Sequence, residues 1–503
     1  MTGCWSGPFL KEDEGWDFEG EHRRGGRTNR NREELKIEEM KGAPVSGEAG
    51  RPFMVDRIES LAGFAFVPRD VLDVMERISM AGFGVWLVGG ALRDFLTGRP
   101  TKDWDLATSA GPQQVMGMFP KVFPVGIRFG TVAIHTPERD VEVTSCPSPG
   151  LDGIIADLNR RDFTVNALGL SYPDGRLLDL HGGMDDLASR TLRCVGNARQ
   201  RFREDCLRVL RACRFVSVSG FRIHRDTLAA MKCEAYGLER VAQERIRDEV
   251  LKTILGSQVV RSFETMRRSG ILRMVLPELD AGYRKKRGPA GVWDAFHHTL
   301  YTVQLSPQRR RVRLVALFQD IAKPFIPRKK SGGSAHSILR EESSRMASNV
   351  MWRWRMSKRE IREVALLVGS QLQTGSGRWR ESEMRRLYGL LGPELLGDLM
   401  DLARARCSFQ SSRNALLRRL ELLRGKFSLL AAEKPVAGIK DLAVSGKDVM
   451  EALGLKQGPQ VRMVLEDLYR KVLDDPMLND YGQLMGLLAR ISNRGRYGHL
   501  GRK

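Results

Sequence analysis

Between residues 54 and 196 the apolar residues fall into short β-prone runs, VWLV, LATSA, VFPV, TVAIHT, VEVTS, ALGLSY and RLLDLHGG, separated by turn residues and helical patterns. After Arg199 the strand signals fade, and helical periodicity of the kind in CLRVLRACRFV and IRDEVLKTIL runs on to the end. Strand signals confined to one part of a chain predict an α+β protein, with a mixed β-sheet and its helices first and an all-α region after it. At 503 residues the chain has room for about three or four domains. No internal repeat is evident.

The stretch GVWLVGGALRDFLTGRPTKDWDLATSA, residues 84–110, carries the first chemistry. Residues 84–88 read as a buried strand. Gly89 and Gly90 end it where the backbone must turn or approach something closely. Ala91, Leu92, Phe95 and Leu96 then fit a short helix with Arg93 on its first turn. Asp103 and Asp105 stand two apart, and strand spacing puts both carboxylates on one face. Two hard oxygen ligands side by side call for a cation, and Mg²⁺ shared with substrate phosphates is the usual answer.

Lys and Arg total 82 against 61 Asp and Glu, a net charge of +21, which favours a polyanionic partner such as nucleic acid. No apolar run approaches bilayer length and the N-terminus lacks a signal-peptide pattern, so a cytoplasmic location is expected. The seven cysteines are scattered without CxxC spacing, which argues against a disulfide framework and against a zinc site. Residues 1–52 are polar, charged and Gly-rich; they are either disordered or an extension upstream of a start at Met40 or Met54.

Three further segments extend the constellation. RRDFTVNAL groups Arg160, Arg161, Asp162 and Asn166 just before a strand. REDCLRVLRACRF is predicted to place Glu204, Asp205, Arg208, Arg211 and Arg214 on one helix, where steps of three form a slowly drifting stripe. QERIRDEV, with Glu244 and Arg245, opens another helix and reads as structural.

The ordered set LVGGALRD, KDWDLATSA, VGIRFGTVAI, VEVTS, ADLNRRDFTVNAL, LLDLHGGMDDL, REDCLRVLRACRF and QERIRDE resembles the class II tRNA nucleotidyltransferases, the CCA-adding enzymes, in the family that includes bacterial poly(A) polymerase. The resemblance is dense over roughly residues 65–255 and reaches the C-terminal body through DLAVSGKDVMEALGLKQGPQV at 441–461. It implies that Gly89, Gly90 and Arg93 meet the nucleotide triphosphate and that Asp103 and Asp105 bind Mg²⁺. Glu142 is similar to the third carboxylate, which takes the proton of the attacking 3′-hydroxyl. Arg161 and Asp162 match positions that contact phosphate and ribose, with Asn166 beside them. Asp205 and Arg208 match the pair that reads the base, and Arg211 and Arg214 follow on the same helix. The implied partners are the acceptor arm and 3′ end of tRNA, CTP and ATP. Residue chemistry agrees: an Asp that only accepts and an Arg that only donates can mimic a complementary base edge, so protein replaces a nucleic-acid template.

On that resemblance residues 53–196 form the nucleotidyltransferase head, or palm, and 197–270 a helical neck that recognises the base. Residues 271–430 form a helical body with a degenerate HD-like domain, and 431–503 a helical tRNA-binding region. The HD-like doublet reads Gln319-Asp320 instead of His-Asp, which leaves His298, Asp320 and His336 as scaffold rather than a working metal hydrolase. A second departure follows Glu142. The family has an aromatic residue, an Arg and a flexible loop there; this chain has Pro147 at the Arg position and only residues 143–159 before Arg160. Family members that add only CC lack that loop, whose lever action resets the base-reading helix for ATP. The expectation is therefore a CC-adding enzyme, with a separate A-adding enzyme acting on the same tRNA. Full CCA addition, poly(A) polymerisation and a non-catalytic RNA-binding scaffold are the alternatives.

Overall fold

The structure, a computed structural model, describes residues 54–55, 64–101, 103–126, 130–284, 294–326, 333–370, 372, 379–408, 413–432, 436 and 438–493. The expectation for residues 1–52, the core of the loop signals near 284–291, 329–334 and 374–377, and residues 127–129 of the VGIRFGTVAI motif lie outside them.

The apolar runs of the first part become one mixed sheet. Its strands are β1 (Met54–Val55), β2 (Val85–Val88), β3 (Asp105–Thr108), β4 (Val122–Gly126), β5 (Thr131–His135), β6 (Asp140–Ser145), β7 (Leu168–Tyr172) and β8 (Leu177–Asp179). They lie in the order β1-β8-β7-β2-β3-β6-β5-β4, with β3 and β6 parallel and the other pairs antiparallel. Strand β2 is buried at all four positions, which fits its unbroken apolar sequence and its central place. Strand β6 alternates, with Val141 and Val143 in the core and Asp140 and Glu142 out.

Between the strands lie α1 (Arg69–Met80), α2 (Gly90–Leu96), α3 (Pro112–Met118), α4 (Gly150–Asn159) and α5 (Gly183–Ala188). One sheet face packs Leu87, Leu106, Val132, Val141 and Val143 against the helical core. The opposite face is covered in part by α4, whose Ile154 and Leu158 cluster with Trp86, Val88, Ala107 and Leu178. Beyond α4 that face is open, and there the acidic residues stand.

A short strand β9 (Thr191–Leu192) leads into α6 (Ala198–Glu204) and α7 (Leu207–Ser219), and pairs in parallel with β10 (Arg222–Ile223), the one two-residue strand described in the helical region. Then come α8 (Arg225–Glu234), α9 (Gln243–Ile254), α10 (Val259–Arg268), α11 (Ile271–Val275) and α12 (Pro277–Asp280). The body adds α13 (Ala295–Leu305), α14 (Arg310–Phe318), α15 (Gly333–Arg353), α16 (Lys358–Gly369), α17 (Glu381–Cys407) and α18 (Arg413–Ala432). Helix α17 is broken at Gly392, whose φ of +68° precedes Pro393. The chain ends in α19 (Gly446–Leu453), α20 (Pro459–Asp474) and α21 (Tyr481–Asn493), which share a small core of their own around Val449, Val464, Leu468 and Leu484. No helix among the described residues is long and apolar enough to cross a membrane.

Helices α9, α13 and α14 are joined by a buried cation. Arg313 on α14 is 2% exposed and donates to the carbonyls of Ile254 (2.5 Å), Gly256 (2.6 Å), Gln304 and Ser306, at the C-terminal ends of α9 and α13. A guanidinium with five donors suits such a set of unpaired helix-end carbonyls.

Candidate functional site

Register places the acids. Val88 on β2 pairs with Asp105 on β3, and Asp105 with Glu142 on β6, so the end of the Gly-Gly turn and two carboxylates lie in one cross-strand row. Residues in one row share a face of the sheet. Asp103 is exposed and precedes the strand, a small departure from the expected strand pair, while Trp104 between the acids is buried and anchors the segment.

The acids disturb one another. Burial pushes the Asp105 carboxyl up, Arg161 pulls it back, and the charge of Asp103 adds to the rise. Glu142 is pushed up by burial and then by Asp105 and Asp103. Three like charges near enough to feel each other are what a bound cation relieves. Among the described residues no group of three or more His, Cys, Asp or Glu is spaced to hold a metal unaided. Two carboxylates are nevertheless the set from which Mg²⁺ takes its protein ligands when phosphate oxygens and water complete the shell, so Asp103 and Asp105 fit it.

Gly89 closes the turn above this row. Its φ of +74° and ψ of −135° belong to glycine, and an added Cβ would lie 2.9 Å from Arg161 Nη1 and 3.1 Å from Asp105 Oδ2. Absence of a side chain lets the cation and the acid approach the backbone.

Two further clusters surround the row. Asp157, buried near the end of α4, accepts from Arg160 Nε and Nη2 (3.0 and 2.7 Å) and from Arg161 Nε (3.0 Å). Sequence reading passed over Asp157, although its place three and four residues before the two arginines is the helical pairing distance. On the other side, Arg93 donates to Asp94 Oδ1 (2.9 Å from Nε) and to Asn166 Oδ1 (2.6 Å from Nη1). Asn166 donates to Asp162 Oδ1 (3.0 Å), and Asp162 Oδ2 accepts from Arg211 Nε (2.8 Å). Burial opposes the Asp162 charge, but Arg211, the Asn166 amide and the Phe163 N–H outweigh it and hold the carboxyl below the usual range.

The predicted single helix from Glu204 to Arg214 is corrected. Helix α6 ends at Glu204 and α7 begins at Leu207, with Asp205 extended between them (φ −147°, ψ 101°). The Asp205 Oδ1 atom accepts the Leu207 N–H at 3.1 Å, so its carboxylate caps α7 and competes with helix continuation. Its Oδ2 accepts from Arg245 Nη2 at 2.8 Å, so the α9 segment, read from sequence as structural, contacts Asp205 directly. Arg208 donates to the carbonyls of Arg201 (3.1 Å) and Arg160 (3.0 Å) and to Glu204 Oε2 (3.2 Å), so the start of α7 touches the head. Arg211 faces Asp162, whereas Arg214 pairs with Glu249 on α9, 3.0 Å away, and burial lowers its pKa. Sequence reading missed Glu249, for a lone acid on the buried face of α9 carries no local signal.

Residues 143–159, read as a short loop, are mostly regular. Strand β6 runs to Ser145 and α4 begins at Gly150, with Pro149 at its N-cap position, which leaves 146–149 as the connector. In the HD-like region His298 on α13 and Asp320 after α14 are buried, with Nδ1 and Oδ2 3.7 Å apart; Gln319 is buried beside Asp320, and His336 is exposed on α15.

Comparison with known proteins gives three family matches along the chain. Residues 85–193 match the Poly A polymerase head domain, 220–283 the RNA- and SrmB-binding site of polymerase A, and 337–488 tRNA nucleotidyltransferase domain 2. The CCA-adding enzyme of Streptococcus sanguinis is 28% identical over 438 residues, covering 82% of this chain and 94% of the relative. That of Geobacillus stearothermophilus is 27% identical over 443 residues, covering 85% and 98%. Among solved structures, the Bacillus stearothermophilus CCA-adding enzyme in complex with CTP superposes with a TM-score of 0.64 at 26% identity, covering 86% of this chain and 98% of that one.

Proposed function

This chain belongs to the class II tRNA nucleotidyltransferases, and on that premise we propose that it transfers CMP from CTP to the 3′ end of tRNA, adding two C residues and stopping. The observation that carries the chemistry is the row Val88, Asp105, Glu142 under the Gly89–Gly90 turn, with Arg93 and Arg161 at its two sides. Asp103 and Asp105 would hold Mg²⁺. When bound it supplies positive charge for the α-phosphate and the departing pyrophosphate. Glu142, whose proton affinity is raised, accepts the proton of the attacking 3′-hydroxyl. Arg93 and Arg161 bind triphosphate oxygens, and Asp162 stands beside the ribose. Asp205 and Arg208 read the cytosine edge.

The stop after two C residues is supported by the connector. Accepting adenine after cytosine with one pocket requires α7 to move, and a switch needs a mobile element to bias it. Four residues, Cys146 to Pro149 with two prolines, join β6 directly to α4, and α4 holds Arg160 and Arg161 through Asp157. Nothing of the long family loop separates them. Cytoplasmic localisation follows from the substrate.

Incubation of tRNA lacking its last three nucleotides with each nucleoside triphosphate in turn tests the reading. CTP should be incorporated with one pyrophosphate released per residue. Absence of incorporation from every triphosphate would leave the RNA-binding scaffold, and long A tracts from ATP alone would favour poly(A) polymerase.

A further inference from the structure

Asn166 was expected at the nucleotide, yet it is 6% exposed and both ends of its amide face protein. Oδ1 accepts from Arg93 and Nδ2 donates to Asp162, at 2.6 and 3.0 Å. A guanidinium only donates and an ionised carboxylate only accepts, so one amide orientation satisfies both and a carboxylate in its place satisfies one. From Asp162 the chain of hydrogen bonds passes to Arg211 on α7. A second link runs in parallel: the Arg93 guanidinium lies 5.0 Å from the ring centroid of Phe215, also on α7, and that buried ring stands edge-on to Phe163 at 5.6 Å. A third closes the far end, where Arg99 just beyond α2 donates to the Ser219 carbonyl at 2.9 Å. The segment after the Gly-Gly turn is thus tied along its length to α7, which carries Arg208 and follows Asp205.

We propose that Asn166 is a positioning residue that couples the two halves of nucleotide recognition: its amide, with the Phe215 ring, ties Arg93 to α7, so that a triphosphate seated at Arg93 fixes where the base-reading helix stands. This rests on the nucleotidyl-transfer reading above and adds that base choice is conditional on the phosphate side. Buried hydrogen-bonded chains with every member satisfied hold one arrangement rigidly, and a break at one link is felt at the others.

The test is a double-mutant cycle on the full-length protein with Asn166→Ser and Arg211→Lys, read as the ratio of kcat/KM for CTP to that for UTP, with melting temperatures measured in parallel. Coupling predicts that each single variant lowers the ratio about tenfold and that the double variant is no worse than either, since one link is already broken. A purely structural role predicts a lowered melting temperature with an unchanged ratio, or losses that multiply; either result overturns the proposal. Should Asn166→Ser fail to fold, Asn166→Asp preserves the shape and the Arg93 contact while setting a second carboxylate against Asp162. It too must lower the ratio for the proposal to stand. Wild-type transfer to tRNA is scored separately. If it is absent the function fails, and coupling is then judged from equilibrium binding of CTP against UTP, where an unchanged preference in the variants again overturns it.

Discussion

At the scale of residues, the account rests on groups whose neighbours leave them few alternatives. Gly89 holds a φ of +74° that residues with a side chain rarely adopt, and a Cβ there would crowd Arg161 Nη1 and Asp105 Oδ2. Asp105 and Glu142 share a row because β3 and β6 are parallel and in register. Asp103→Asn or Asp105→Asn should abolish nucleotide addition and leave tRNA affinity within about twofold, since on the proposed function these acids serve the cation and the nucleotide rather than the RNA backbone. Quench-flow or gel assays at saturating Mg²⁺, beside filter binding, check this; robust incorporation by either variant contradicts the metal assignment. Recognition belongs to other residues. Replacing Asp205 or Arg208 by Ala should cost about 1–3 kcal/mol of discrimination, near ten- to hundredfold in the preference for CTP. Competition between CTP and UTP measures it, and unchanged selectivity in both variants removes this pair from base reading.

At the scale of elements, most strands were legible because buried runs such as VWLV and alternating ones such as VEVTS are local patterns. The acidic row was legible only in part: spacing paired Asp103 with Asp105, but the partnership with Glu142 is a parallel pairing across 37 residues of sequence that no local pattern records. The break between α6 and α7 was missed because the apolar periodicity of LRVLRACRF continues smoothly from REDC. What ends α6 is the Asp205 carboxylate turning onto the Leu207 N–H, with Cys206 packed where Gly237 leaves no Cβ. Helix α4 was missed because proline and glycine in CPSPG read as loop, whereas Pro149 sits extended at the position just before the helix that follows. A latch between α10 and α13 gives an element-scale prediction. His297 bonds Asp294 (2.8 Å) and Glu264 (2.6 Å), and these carboxylates raise its pKa to about 9. A folded-state value above the ordinary 6.5 means that this contribution to stability is complete below pH 6.5 and is lost as pH rises through 9. Allowing for partial exposure, it amounts to about 1–2 kcal/mol. Urea titrations at pH 7 and pH 10 should show a loss of that size in the wild type and a smaller one in His297→Gln; equal losses contradict the latch.

At the scale of the whole molecule, the sheet that carries the acids is followed by a long series of helices, and the chain's charge is +21. Affinity for tRNA should therefore fall steeply, by at least about tenfold between 50 and 200 mM salt, and be indifferent to the anticodon, because backbone and shape contacts dominate such binding. A flat salt response contradicts that picture. On the proposed function the same architecture sets how far addition proceeds. There β6, the four-residue connector and α4 in direct succession, with Arg93 tied to α7, hold the base-reading helix at the position for one base. The most direct measurement supplies CTP and ATP together at saturation to tRNA that ends at the discriminator base and resolves the products to single nucleotides. The account predicts extension by two C residues and a stall that persists with ATP in excess. Conversion to full CCA ends at a rate comparable to the addition of C contradicts it.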